Sequence, residues 1–207
     1  KGQFPTSVVA ALGIHPVEVT GRSDEEVSAD LSFMESHLGE ADEVGEIGLD
    51  HKWASTTAEQ ERQSTILSRQ LELAATFGKP INLHSRRCLR QVMERAIEFH
   101  RSTGLNAQLH WFTQSLKLVR ICNEHGIYVV DEANIESHGE SFWPVMPPMP
   151  TSRLPCDPDW EDAYRARISR MVARDKNHAC IILWSLGNEA GYGPVLKEMR
   201  EWIRTHD

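Results

Sequence analysis

Six short β-rich runs, separated by helical patterns, constrain this chain more than any other feature. They are SVVAALG (7–13), ADEVGEIGLD (41–50), KPINLHS (79–85), LNAQLHW (105–111), GIYVVDEA (126–133) and ACIILWSLGN (179–188). Most are nearly continuous apolar stretches, the composition of strands covered on both faces and therefore of a parallel sheet. Amphipathic helices fill the gaps. Ser23 and Glu26 form a capping box ahead of Val27, Leu31, Met34 and Leu38. Ile66, Gln70, Leu73 and Phe77, with Leu67, Leu71 and Ala74, predict a helix over 58–77. Asp157 with Pro158 supplies an N-cap and first-turn proline before Trp160, Tyr164, Ile168 and Met171. Gly193 with Pro194 opens a last helix whose Val195, Met199, Trp202 and Ile203 face a core.

Repeated strand-then-helix units imply an α/β fold with right-handed crossovers, either an open doubly wound sheet or a (βα)8 barrel. The first strand is followed by no glycine-rich phosphate loop, which weakens a nucleotide-binding reading. Polar residues gather instead at or just after strand ends: His15, Glu46, His84, His110, Glu132, Glu136, His138 and Glu189. Reactive groups of barrels sit at that face, so parallel βα units of barrel lineage are expected. Only six units are present where eight close a barrel. An open sheet exposes edges and apolar surface, so the expectation is an incomplete or irregular barrel completed by self-association.

The 207 residues, 40% of them apolar, suit a single α/β domain over 1–207. No apolar run approaches the ~18 residues of a membrane span, so no membrane partner is expected. A net charge of −8 argues against broad nucleic-acid binding. Cys88, Cys122, Cys156 and Cys180 form no CxxC pair and read as free structural thiols. The start, KGQFPTSVVAALG, has neither an initiating Met nor a signal-peptide core. It is expected to be entered part-way through, and the location to be cytoplasmic or that of a recombinant product. The proline-rich connection from Glu136 to Pro155 is expected to hang over the site end of the sheet.

Glu46, His84 and His110 come from three separate strands and would point into one space. Such a set suits a divalent-metal hydrolase, in which the ion polarises a phosphoryl or carbonyl oxygen and acidifies bound water. Taken singly, a strand-end histidine is more often a hydrogen-bonded structural residue, and Glu46 could simply be solvated. Further along, Asn188 and Glu189 at a strand end offer an amide for a sugar hydroxyl beside a carboxyl able to protonate a leaving oxygen. Glycoside cleavage needs a second carboxylate, about 5–5.5 Å away for retention or roughly 6.5–9.5 Å for inversion.

Two resemblances sharpen these readings. GIHP (13–16), VGEIGLD (44–50), QLELA with GKPINLHSR (70–86) and LHWF (109–112) resemble the TatD family of metal-dependent deoxyribonucleases, over about 7–115 of a segment 1–115. That resemblance implies a (βα)8 barrel, a metal-bridging role for Glu46, and metal ligation by His84 and His110. It also places His15 at the site mouth, as a phosphate-contacting, substrate-binding residue. The family's first-strand HxH pair and last-strand metal-binding Asp are not in this sequence, so a weaker single-metal site holding Zn, Mn or Mg is expected. CNEHGIYVVDEANIESHG (122–139) and RMVARDKNHACIILWSLGNEAGYG (170–193) resemble the barrel domain of glycoside hydrolase family 2 β-galactosidases, over about 119–206 of a segment 119–207. The resemblance implies Glu189 as acid/base, Asn188 as its sugar-contacting neighbour, and Glu136, His138 and Glu189 as magnesium ligands. The family's nucleophilic Glu would lie beyond Asp207.

The two texts meet inside TQSLKLVRICNEHG, where both families place a helix between strands. The chain therefore reads as a chimera of two barrel pieces, engineered or recombined, without a complete native site from either. A phosphodiester hydrolase is the second reading and a glycosidase the third. The partners expected are a second copy of the chain and a small-molecule, sugar or phosphodiester substrate.

Overall fold

The computed structural model describes residues 8–112, 115–137 and 153–207. His138 and most of the long connection lie outside them. The chain divides into two compact units, one taking residues up to His110 with Glu124–Tyr128, the other Trp111–Asn123 with Val129–Asp207.

In the first unit, α1 (Pro16–Gly21) was not among the sequence expectations. It is one short turn, capped by His15, whose Nδ1 accepts from Val17 N at 3.3 Å, with Pro16 in first position. The capping box at Ser23 and Glu26 forms as expected and starts α2 (Asp24–His37). A cap of this kind is worth about 1 kcal/mol. Then follow β1 (Val44–Asp50), α3 (Thr57–Phe77), β2 (Ile81–Arg86), α4 (Leu89–Thr103) and β3 (Ala107–Phe112). A second capping box, Thr56 with Glu59, opens α3, and Gly78 closes it with a left-handed φ of 64°.

β1 pairs with β2, and β2 with β3, in parallel. Val44, Ile47, Leu83 and Leu109 are wholly buried between the sheet and its helices. Each such side chain contributes about 1.5–3 kcal/mol by leaving water.

The run SVVAALG does not form a full strand among the described residues. It makes one parallel bridge, Ala11 to Glu43, with Leu12 N donating to Glu43 O at 3.1 Å and Gly45 N to Leu12 O at 3.2 Å. The ladder stops because a side chain takes it over. At Ile14 the backbone N–H donates to Gln70 Oε1 at 2.7 Å and the carbonyl accepts from Gln70 Nε2 at 3.2 Å. So five strands, not six, appear among the described residues.

The inferred join falls in α5 (Leu116–His125), with Val119 and Cys122 buried; all but its last two residues belong to the second unit. Next come β4 (Tyr128–Glu132), α6 (Arg153–Cys156), α7 (Pro158–Asp175), β5 (Ile181–Ser185) and α8 (Pro194–His206). β4 and β5 pair in parallel. Asp157 caps α7 and Gly193 precedes Pro194 in α8, as expected. Tyr164, Ile168, Met171, Val195, Met199 and Ile203 form one core cluster with Ala133 and Ile135. Trp160 departs from the expected stripe. It lies in the first turn of α7, is 46% exposed, and lines a cavity of about 110 Å³ with Tyr164 and Arg167.

β5 also departs from the reading of strands covered on both faces. Ile182 and Leu183, consecutive and therefore on opposite faces, are 45% and 56% exposed. All four cysteines are free. Burial pushes the Cys122 thiol up to about 12 and Cys180 to about 11, which makes both poor nucleophiles and fits structural thiols. No helix among the described residues is long and apolar enough to cross a membrane.

Candidate functional site

Glu46 owes its direction to an irregularity in β1. The register runs Val44 to Ile81 and then Ile47 to Leu83, so β1 carries an extra residue there and Glu46 sits in the bulge. Bulges re-aim side chains, often beside sites. Two residues later Gly48 has a φ of 150°, and a Cβ built there would lie 2.0 Å from the His84 carbonyl oxygen. Only glycine lets β1 approach β2 at this histidine.

Three imidazoles converge on one carboxylate oxygen. Glu46 Oε1 lies 2.6 Å from His110 Nε2 on β3, 2.8 Å from His84 Nδ1 on β2, and 3.3 Å from His15 Nε2 at the α1 cap. His15 and His84 meet edge to face, with ring centroids 4.6 Å apart. Burial by itself would raise the Glu46 carboxyl. The hydrogen bonds from His110, His15 and His84 override it and hold the group well below the usual carboxylate range. Glu46 is thus kept ionised, an acceptor with a fixed charge.

The second nitrogen of each ring decides what the first can do. His84 faces a carboxylate on each side, with Nδ1 2.8 Å from Glu46 Oε1 and Nε2 3.3 Å from Asp50 Oδ2, so either nitrogen can donate. An ion that took the Nδ1 lone pair would leave the ring proton on Nε2, facing Asp50. Asp50 itself is pinned, its Oδ1 accepting from Lys52 N at 2.9 Å and Trp53 N at 3.3 Å. A carboxylate behind a ligating histidine is the usual support in metal sites. His15 is wired the other way. Its Nδ1 accepts from Val17 N, so the proton of the neutral ring sits on Nε2, which points into the cluster as a donor.

His15, Glu46 and His84 each offer a ligand atom within 4.8 Å of the others. By proximity all three could hold an ion; by protonation His15 suits a phosphate oxygen better than a cation. Glu46, His84 and His110 form an imidazole and carboxylate donor set, which suits zinc or manganese. The residues fit a divalent metal. Directly after the His110 position, Trp111 takes a φ of 52°, and Arg87, at the end of β2, takes 63°. Non-glycine residues in this region concentrate at functional sites.

The second unit brings together fewer of its expected residues. Glu136 and Asn188 form a parallel bridge, with Asn188 N donating to Ile135 O at 2.9 Å. Glu189 follows with a φ of 46°, and both Glu136 and Glu189 are exposed. His138, the remaining expected magnesium ligand, lies outside the described residues. Glu132 is buried and accepts from Ser185 Oγ at 2.6 Å. Asp131 is wholly buried near Asp175 and Arg174, which takes it out of reach of a substrate.

Sequence reasoning missed three residues of the first site. Asp50 stood at the end of a quoted strand without a role. Gln63 and Gln70, 1% exposed, lie on the buried stripe of α3 with Leu67 and Ala74. Amides on an otherwise apolar stripe were the available signal, since buried polar groups need partners.

Comparison with known proteins separates the two stretches. The family described as TatD related DNase matches residues 1–140, and the TIM barrel domain of glycosyl hydrolases family 2 matches residues 81–207. The chain belongs to both families. Their matches overlap across β2, α4, β3, α5 and β4. Two β-galactosidases, from Pectobacterium atrosepticum and Yersinia pestis, are 56% and 53% identical over 88 residues, covering 42% of this chain and 8% of theirs. The chain thus spans under a tenth of the length of these relatives. The crystal structure of a TatD family hydrolase from Entamoeba histolytica matches with a TM-score of 0.51 at 17% identity, covering 66% of this chain and 47% of that one. At that identity the likeness speaks for the fold, an α/β fold of parallel βα units.

Proposed function

We propose that this chain is a chimera that joins two barrel segments within α5 without completing the native site of either family. The chemistry its geometry supports best is divalent-metal binding in the TatD-like unit, with metal-assisted hydrolysis of phosphodiesters. The convergence of His15, His84 and His110 on Glu46 Oε1 carries this reading.

Glu46, His84 and His110 would hold the ion. When bound, a divalent ion supplies Lewis acidity and lowers the pKa of water towards neutrality. The chain's own groups do the rest. With the ion at Nδ1, Asp50 would hold the His84 Nε2 proton and the ring angle. Glu46 stays ionised and neutralises part of the positive charge. His15 Nε2 presents a proton to an incoming phosphate oxygen, a donor set in place before the substrate arrives.

The test is cleavage of a chromogenic phosphodiester with zinc or manganese. Activity should vanish on chelation and in His84→Ala. Turnover that survives both would sink the reading.

A glycosidase reading stands second. It is favoured by the bridge that sets Glu136 beside Asn188, next to Glu189. Cleavage of a nitrophenyl galactoside, lost in Glu189→Gln, would support it; absence of cleavage by the parent would remove it. We also propose self-association through β5, which leaves Ile182 and Leu183 exposed on a strand with no charged residue.

A further inference from the structure

We propose that Gln63 and Gln70 are positioning residues for the histidine cluster, their side-chain amides holding the backbone on either side of His15 and at Asp50. The two lie seven positions apart on α3 (70 − 63), two helical turns, and so share one face. Gln70 clamps both peptide groups of Ile14, accepting its N–H at 2.7 Å and donating to its carbonyl at 3.2 Å. Gln63 accepts the N–H of Asp50 at 2.9 Å. It shares its own amide hydrogens among Pro16 O at 2.9 Å, Thr20 Oγ1 at 2.8 Å and Asp50 O at 3.4 Å.

His15 is therefore flanked by two tethered residues, Ile14 and Pro16. Asp50 is gripped at its backbone while its carboxylate faces His84 Nε2. Both arms of the cluster, the proton-donating ring and the buttressed ligand, hang from one helix face. Neither amide is needed to build the sheet. An apolar residue at 63 or 70 would continue the stripe that Leu67 and Ala74 already occupy. Two amides here cost desolvation and return only these contacts, all of which lead to the cluster. Supporting contacts of this kind decide whether a site is tight or loose by about an ångström.

For metal affinity the inference rests on the proposed metal-binding function; for ring placement it stands in the metal-free protein, and the experiment separates the two. Gln63→Leu, Gln70→Leu and a control, Leu67→Ala, are made in the full chain. Leu67 is buried between the glutamines and makes no polar contact, so its loss lowers stability alone. Long-range proton–nitrogen spectra of labelled imidazoles report the tautomers of His15 and His84, and the absorption of cobalt(II) reports metal affinity.

Gln70→Leu is expected to release the His15 tautomer and leave His84 and the cobalt Kd unchanged. Gln63→Leu should disturb both rings and weaken cobalt binding about tenfold, the usual effect of losing outer support. Leu67→Ala should lower Tm without moving any of these signals. If Gln63→Leu does not fold, Gln63→Glu keeps the acceptor for Asp50 N and reduces the donors to Pro16 and Thr20, so the His15 signal should still move. The proposal is overturned if the glutamine variants lower Tm as the control does but leave the imidazole spectra as in the parent. If the parent binds no cobalt, the metal function fails, and the imidazole spectra alone decide for or against positioning.

Discussion

His84 Nε2 lies 3.3 Å from Asp50 Oδ2, across the pair of strands whose register sets Gly48 opposite His84. With an ion at Nδ1, this contact would hold the ring proton on Nε2, so Asp50 supports the direction in which His84 binds. Asp50→Ala should leave every first-contact ligand in place and still weaken zinc binding about 10- to 100-fold. Competition against a chromogenic chelator measures this. An unchanged Kd would mean that the contact is incidental.

Gly48 makes the approach of β1 to β2 possible. Gly48→Ala places a methyl 2.0 Å from the His84 carbonyl at a φ of 150°. A loss of about 3 kcal/mol or more in urea unfolding is expected, because strain and a backbone clash act together. A loss under about 1 kcal/mol would show that the strands can part without cost.

Much of this was legible in the sequence, and the exceptions share a cause. The strand-then-helix order, the capping box at Ser23 and the convergence of Glu46, His84 and His110 follow from local spacing. What escaped depended on neighbours far along the chain. SVVAALG looks like a strand, but its ladder ends where Gln70, 56 residues away, takes the Ile14 peptide. Asp50 reads as a strand terminus until His84 is placed behind it. ACIILWSLGN has the apolar density of a covered strand, yet β5 leaves Ile182 and Leu183 open, because composition does not say what packs on a strand.

Asp131 gives the second unit a pH dependence. Burial, with Asp175 beside it, pushes the Asp131 carboxyl up to about 8, against a smaller opposing pull from Arg174. Unfolded, the group titrates near 3.9. The folded chain therefore keeps a proton there between about pH 4 and pH 8 that the unfolded chain has released. Stability from this group is full below about pH 4 and is lost as pH rises through about 8. Asp131→Asn should melt higher than the parent at pH 8, by the equivalent of a few kcal/mol, with the gap narrowing towards pH 5. Parallel Tm curves for the two proteins would refute this.

Self-association should run through β5. Leu183→Lys puts a charge on a strand that has none and should shift the parent's oligomer towards monomer, read by light scattering across concentrations. A parent that is already monomeric throughout would exclude the interface.

The most direct test of the account is a calorimetric titration of chelator-stripped protein with zinc and with manganese, beside Glu46→Ala. Three imidazoles meeting on one ionised oxygen predict stoichiometric binding that this variant loses. Heats at background in the parent, or equal binding in Glu46→Ala, would contradict a metal centre at Glu46.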